Sequence, residues 1–261
     1  MPLTISHPAA SVPLTRLGLV LSALVIGSMT PDFPYFIPIF PYSGFSHSII
    51  GLFVYCVPLG LISLAVFHFL IKRPVLSLLP INHQQRLYGA VHDFSFWPVR
   101  RFLLIILSIL FGAFTHILWD SFTHPHGWMV EQFIILKSPI FSIGSQSVQI
   151  YKLLQHGSTL FGGVLLLYWY VKWYKSAKLF LVQENLELTA FTKSIILTIM
   201  GFVALATAII SGLITIPAIQ TLLYQRLLVG HIFIVGVAAF TAELMLFSVY
   251  WHFSLKRKSA I

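Results

Sequence analysis

Residues 194–219 read SIILTIMGFVALATAIISGLITIPAI, without one acidic or basic side chain. At about 1.5 Å of helical rise per residue, roughly twenty such residues cross a hydrocarbon layer about 30 Å thick. No water reaches backbone amides at that depth, so a continuous helix is the form that satisfies them. Working outward, three further stretches reach the same length: Ile49 to Ile71, Phe102 to Trp119 and Leu227 to Trp251. A fifth, Leu160 to Val171, is shorter and extends through Thr159 and Trp173. The sixth, Leu17 to Met29, is the weakest on length. The expected fold is all-α, a polytopic helical membrane bundle of about six transmembrane helices.

Composition points the same way. Of 261 residues 57% are hydrophobic and only 9% charged, where an average soluble domain has roughly a quarter charged. No repeat, low-complexity tract or linker divides the chain, so residues 1–261 are expected to form a single membrane domain. Within it, residues 1–157 hold nine of the eleven histidines and four of the seven acids, and residues 158–261 are mostly plain apolar helix. The first basic residue is Arg16, too late for the charged start of a secretory signal, so the first helix is expected to be retained.

The net charge of +9 does not point to nucleic acid, because the basic residues fall between apolar spans rather than along one face. Lys72, Arg73, Arg86, Arg100 and Arg101 lie in one connection, Lys172, Lys175, Lys178 and Lys193 in another, and Lys256, Arg257 and Lys258 in the tail. The intervening connections hold only Lys137, Lys152 and Arg226. The positive-inside rule then places the basic connections and the C-terminus in the cytoplasm. The lone Cys56 sits in an apolar run and reads as a small buried hydrophobe.

Two prolines in Thr30-Pro31-Asp32-Phe33-Pro34 stop a helix and hold an acid in a turn. Pro38 and Pro41 continue the irregular segment to Ser46-His47, and Pro58 is expected to kink the second span. The third span ends in Thr115-His116-Ile117-Leu118-Trp119-Asp120-Ser121-Phe122-Thr123-His124-Pro125-His126, polar for a helix that began Phe102-Leu103-Leu104. His116 and Asp120, four apart, share one helical face. An imidazole and a carboxylate so placed can hold a divalent ion, or can hydrogen-bond to each other and lock two helices together.

Topology supplies partners. A second span running inward to Lys72 leaves Asp32 and His47 on the same side as the outer end of the third span. Asp32, His47, His116, Asp120 and His124 can therefore converge, and two carboxylates with three imidazoles suit zinc or a similar transition metal, or a two-metal site, better than calcium or magnesium. His7 opens the first helix at Ser6-His7-Pro8 and joins the cluster only if that helix is broken or re-entrant. His68, His156, His231 and His252 read as packing, helix-start or interfacial residues, His126 as a loop or outer-shell group, and Glu243 as a residue hydrogen-bonded within the bundle. Trp119, Trp128, Trp169, Trp173 and Trp251 read as an interface belt. No serine-nucleophile elbow or phosphate-binding glycine loop is present.

The set Met1-Pro2-Leu3-Thr4-Ile5-Ser6-His7-Pro8-Ala9-Ala10, Gly27-Ser28-Met29-Thr30-Pro31-Asp32-Phe33-Pro34-Tyr35-Phe36, His47-Ser48, and Thr115-His116 through Asp120-Ser121-Phe122-Thr123-His124-Pro125 resembles the bacterial membrane family catalogued as domain of unknown function 4184. That family is similar in motif order to inner-membrane proteins described as metal-dependent hydrolases. More distantly, the order resembles all-helical zinc-dependent phospholipase C, although no second His-x-x-x-Glu helix follows, since Leu160 stands four residues after His156. The resemblance implies His7, Asp32, His47, His116 and Asp120 as ligands, with His124 as an addition. It also implies the bacterial inner membrane as the location.

The expectation is a membrane-embedded, metal-dependent hydrolase of a lipid or lipid-linked phosphoester near the outer leaflet, with zinc as the cofactor and membrane lipids as partners. Two other readings stay open. One is an ion- or proton-coupled transporter using Asp32, Asp120 and Glu243; the other is a non-catalytic membrane scaffold.

Overall fold

The computed structural model describes residues 4–37, 44–91, 94–143, 146–182, 188–216 and 222–258. The readings placed on Pro38 and Pro41 lie outside these residues.

Uninterrupted apolar sequence closes its backbone hydrogen bonds locally, and the described chain is accordingly helical almost throughout. Four helices are long and apolar enough to cross a membrane: Ile49–Leu78, Val99–Gln132, Ala190–Thr215 and Leu227–Ser254. The other two stretches behave differently. Leu160 to Val171 lies inside a 27-residue helix, Ile150–Ser176, whose first half carries Gln155, His156, Ser158 and Thr159 and is too polar to count with the four.

The segment from His7 towards Met29, expected as one helix, is broken. It runs as one turn Pro8–Ser11, a 3-10 stretch Val12–Leu17 and a short helix α1, Leu21–Gly27. The break falls at Gly18, whose φ of +82° is a left-handed conformation that other residues adopt only at a cost. The chain doubles back there, and Ser11 Oγ donates to the Leu24 carbonyl across the two limbs at 3.4 Å.

The chain divides into two compact units. The first comprises Met1–Pro34, Ile39–Leu64 and Ser95–Ser176; the second comprises Tyr35–Pro38, Ala65–Phe94 and Ala177–Ile261. In the first, α1 packs on the long helix that ends in the polar motif (α4, Val99–Thr123, 25 residues). Helix α2, Ile49–Leu78, starts beside the end of α4, with Leu52, Cys56 and Ala113 forming a buried cluster. Cys56 is thus the small buried hydrophobe expected. Around Pro58 the helix continues, and its hydrogen-bonding widens to a π-helical stretch over Leu52–Cys56 just ahead of it. A proline removes one amide donor, and a wider turn is one way to absorb that loss. The unit also contains a two-stranded antiparallel hairpin, β1 Pro139–Ile143 and β2 Gln146–Gln149, which leads into α5, Ile150–Ser176.

In the second unit α3, Ile81–Val91, contributes Val91 to a cluster with Leu76 and Trp251. Helices α6, Ala190–Thr215, and α7, Leu222–Lys258, pair along their length, and Ser211 Oγ lies 2.9 Å from His231 Nε2. His231 and His156 stand inside helices, so neither is a helix-start residue: each helix begins further upstream than the polar residue suggests. His252 Nε2 donates to the Leu70 carbonyl at 3.0 Å, and His68 stacks on Phe94 with ring centroids 3.7 Å apart, both packing roles. Glu243 makes no hydrogen bond or ion pair among the described residues, so the partner expected within the bundle is not found.

Candidate metal centre

The polar end of α4 exposes its logic once the small residues upstream are placed. A Cβ at Gly112 would meet the Leu24 carbonyl oxygen and come within 2.7 Å of the Ser28 amide nitrogen. Glycine therefore lets the backbones of α1 and α4 touch, as small residues do where helices cross closely. One turn further on, this brings the Ser28 carbonyl to 2.7 Å from His116 Nδ1.

That contact sets the tautomer. A carbonyl only accepts, so Nδ1 of His116 carries the proton and Nε2 presents a lone pair. The same reasoning applies to His47. Ser46 Oγ donates to the Pro31 carbonyl at 2.7 Å, so towards His47 Nδ1, 3.1 Å away, it accepts, and again Nε2 is left with the lone pair. Both Nε2 atoms face carboxylates. His116 Nε2 lies 3.5 Å from Asp32 Oδ1 and 3.4 Å from Asp120 Oδ2; His47 Nε2 lies 3.5 and 3.8 Å from the same two oxygens.

Lone pairs facing carboxylate oxygens repel unless a cation, either a metal ion or the proton of an imidazolium, lies between them. One ligand atom from each of Asp32, His47, His116 and Asp120 lies within 4.8 Å of the other three, which makes the four a group that could hold a metal ion. His116 Nε2 and Oδ1 of both aspartates are buried without a hydrogen-bond partner among the described residues. Buried polar atoms left in that state are costly, and a shared metal ion is the arrangement that would satisfy them together. The hydrogen bonds that hold Nδ1 of each histidine are the support that metal-ligating imidazoles usually have. Asp32 has its own support, since Thr4 Oγ1 donates to Oδ2 at 2.6 Å.

His7 and His124 lie beside this group. The doubled-back N-terminal segment carries His7, almost fully buried, into parallel stacking on His116 with ring centroids 3.8 Å apart, and His7 Nε2 is 3.5 Å from Asp120 Oδ1. His124 stands at the rim, its Nδ1 3.5 Å from Asp120 Oδ1 and donating to the Asp120 backbone carbonyl at 3.2 Å. His126 is exposed and 3.8 Å from Glu131, in the loop beyond.

Burial and charge decide protonation outside the long helices. Burial, reinforced by the neighbouring His116, lowers His7 from 6.5 to about 3, so it is neutral at ordinary pH. Burial alone would raise Asp32, but in the metal-free centre, where a proton rather than a metal ion bridges His116 Nε2 to it, the imidazoles of His116 and His47 and the Thr4 hydroxyl outweigh burial and hold the carboxyl well below the usual carboxylate range.

The centre is closed on one side and open on the other. Side-chain exposure is 0–2% for His116, His7 and Asp32, against 12% for Asp120, 24% for His47 and 27% for His124. Three supporting side chains escape a search for metal ligands in sequence: Thr4, Ser46 and Trp119. Thr4 and Ser46 stand three and one residues before His7 and His47, a spacing that could have flagged them. Trp119 is not an interface residue. Its indole donates to Ser158 Oγ at 2.9 Å and its ring is edge-on to His7 at 5.5 Å, because α5 covers that face of α4. Trp251 is likewise buried, in the core of the second unit.

A family model described as domain of unknown function (DUF4184) matches residues 1–249. Neither a curated protein nor a solved structure matches the chain.

Proposed function

The chain belongs to the DUF4184 family, and on that footing we propose that it is a membrane-embedded, metal-dependent hydrolase whose substrate is a lipid or lipid-linked phosphoester. The observation that carries the reading is the convergence of Asp32, His47, His116 and Asp120 within 4.8 Å, with a sealed inner wall and an open rim. Structural metal sites are closed on all sides, whereas catalytic ones keep a position free. Two carboxylates with two imidazoles suit zinc or a similar transition metal. Such an ion supplies an electrophile that polarises a phosphoryl or carbonyl oxygen and acidifies water.

The chain's own residues do the rest. Ser28, Ser46 and Thr4 fix the rings of His116 and His47 and the carboxylate of Asp32, so their ligand atoms need no reorganisation. Asp32 and Asp120 balance the charge of one divalent ion. His124, at the rim with its Nδ1 proton held by the Asp120 carbonyl, has Nε2 free to take a proton from the attacking water and return it to the leaving group. His47 stands two residues before the start of α2, and Asp120 three residues from the end of α4. In a bilayer this puts the centre at headgroup depth, where lipid phosphoesters lie. The concentration of basic residues in the other connections supports a reading of that face as the outer one, and a bacterial inner membrane is the location this proposal carries.

The test is metal analysis by mass spectrometry on dialysed, detergent-purified wild type and Asp120→Ala, with a thermal folding control, followed by a hydrolysis screen of lipid phosphoesters. Near-stoichiometric zinc in wild type, lost in a folded Asp120→Ala, is expected. Folded wild type free of metal would sink the reading.

A further inference from the structure

The connection that leaves the polar end of α4 does not have the composition of an aqueous loop. Residues 128–143 read WMVEQFIILKSPIFSI, with Glu131 and Lys137 as the only charged side chains. Hydropathy passes over this segment because its longest apolar run, Phe133 to Leu136, has four residues and cannot cross a bilayer. Folding buries Val130 but leaves the other large apolar side chains outside. Ile134 is 82% exposed, Trp128 and Ile135 63%, and Phe133, Ile140 and Phe141 are half-exposed. Single apolar side chains on a surface are ordinary, but six so close together form a patch that calls for an apolar environment.

We propose that this segment is set into the membrane leaflet on the side of the metal centre, with Trp128, Phe133, Ile134, Ile135, Ile140 and Phe141 in contact with lipid. The inference rests on the membrane part of the reading above and not on its metal chemistry. Position is the first support. A Cβ at Gly127 would meet the Ser121 carbonyl oxygen and come within 2.9 Å of that of Asp120, and the Gly127 amide donates to the His124 carbonyl at 3.0 Å. The chain therefore turns back against the end of α4 instead of leaving it. At its far end the Ile150 amide donates to the Ser138 carbonyl at 3.2 Å, which closes the segment onto the first turn of α5. Exposed apolar residues continue from it on both helices, Leu118 and Phe122 on α4 and Leu153 and Leu160 on α5.

The backbone is the second support, because amides taken out of water have to be paired within the chain. The Phe133 amide donates to the Met129 carbonyl at 2.9 Å, that of Leu136 to Phe133 at 2.9 Å and that of Ser138 to Ile135 at 3.0 Å, while β1 pairs with β2. A two-stranded hairpin keeps unpaired outer edges, so it belongs at headgroup depth, with Ile134 and Ile135 deeper. The charged side chains fit that placement. Glu131 lies 3.8 Å from the exposed His126 on the water side, and Lys137 can lay its stem along apolar surface towards lipid phosphates. Anchored on the backbone of Asp120 and His124, the segment holds the open rim of the centre at the headgroup layer.

Nitroxide labels at Ile134→Cys and Phe141→Cys test this in full-length Cys56→Ser protein reconstituted into vesicles of phosphatidylethanolamine and phosphatidylglycerol. Electron paramagnetic resonance reads their collisions with oxygen, which concentrates in lipid, and with a water-soluble nickel chelate. Phe202→Cys, exposed midway along α6, is the lipid reference, and His126→Cys the aqueous one. Ile134→Cys is expected to match the oxygen-favouring ratio of Phe202→Cys, and Phe141→Cys to fall between the two references. A nickel-favouring ratio at Ile134→Cys, equal to that of His126→Cys, overturns the inference and leaves the hydrolase reading standing. If Phe202→Cys is nickel-favouring as well, the membrane reading beneath both is lost. Few collisions with either reagent at Ile134→Cys mean that the segment is covered by protein, a second copy included, and also overturn it. Should the cysteine variants not fold, a phospholipid with a diazirine on its acyl chain, photolysed with wild type in the same vesicles, decides the question. Adducts on peptides from residues 128–143 support the inference, and adducts confined to α6 overturn it.

Discussion

His116 shows how little of a site residue's role lies in its own side chain. Its Nε2 is available as a candidate ligand atom only because the Ser28 carbonyl, 88 positions away, holds the proton on Nδ1. His7 shows the energetic side of the same economy. Burial keeps it neutral down to about pH 3, whereas the unfolded chain protonates it near 6.5. Between those values the unfolded state binds more protons, so the stability held by neutral His7 is complete above about pH 6.5 and is lost as pH falls towards 3. Asp32, depressed below the usual range, adds stability that fades only in stronger acid, as pH drops through its folded value. The metal-free protein is therefore expected to melt at lower temperature at pH 5 than at pH 7, with a smaller difference in His7→Gln. An equal difference in both proteins, measured by differential scanning fluorimetry in detergent, would contradict this account of His7.

At the scale of elements, the contact between α1 and α4 is the determinant. Gly112 admits the α1 backbone against α4, and a methyl group there would meet main-chain atoms of Leu24 and Ser28 that cannot rotate away. Gly112→Ala is expected to cost about 1–3 kcal/mol through overpacking. It also lengthens the Ser28–His116 hydrogen bond, lowering metal affinity about 10–100-fold, the usual penalty for losing an outer-shell partner. Chelator competition measures the second effect and thermal unfolding the first; unchanged affinity in a destabilised Gly112→Ala would separate the contact from the site. The pattern of α4 was open to inspection in sequence, since His116 and Asp120 lie four apart. The break of the N-terminal segment at Gly18 was not, because an isolated glycine in an apolar run is compatible with a continuous helix.

For the whole molecule, the proposed topology has a direct consequence. The N-terminal segment returns to the level at which it began, so residues near His7 and near His47 belong to one face of the membrane. Helix α2, Ile49–Leu78, is long enough to cross a bilayer, and Arg73 belongs to its far end. Single cysteines at the exposed positions Ile5, Phe45 and Arg73, introduced into a Cys56→Ser background, report this arrangement to a membrane-impermeant maleimide. Ile5→Cys and Phe45→Cys are expected to label from one side and Arg73→Cys from the other. Labelling of Ile5→Cys and Phe45→Cys from opposite faces would contradict the doubled-back segment and take His7 out of the centre.

Sequence by itself determined the helical class, the four long apolar helices and the identity of Asp32, His47, His116 and Asp120, because hydropathy and the 3.6-residue period are local properties that no tertiary contact has to supply. Tertiary structure alone decided the rest. It determined that Leu17 to Met29 is not one crossing helix, that His7 stacks on His116, that Thr4, Ser28 and Ser46 orient the candidate ligands, and that Trp119 packs against His7 and α5. The physical reason is the same in each case. These roles depend on which backbone carbonyl, hydroxyl or ring comes within hydrogen-bonding or stacking distance across tens of positions, and that is set by how closely helices approach.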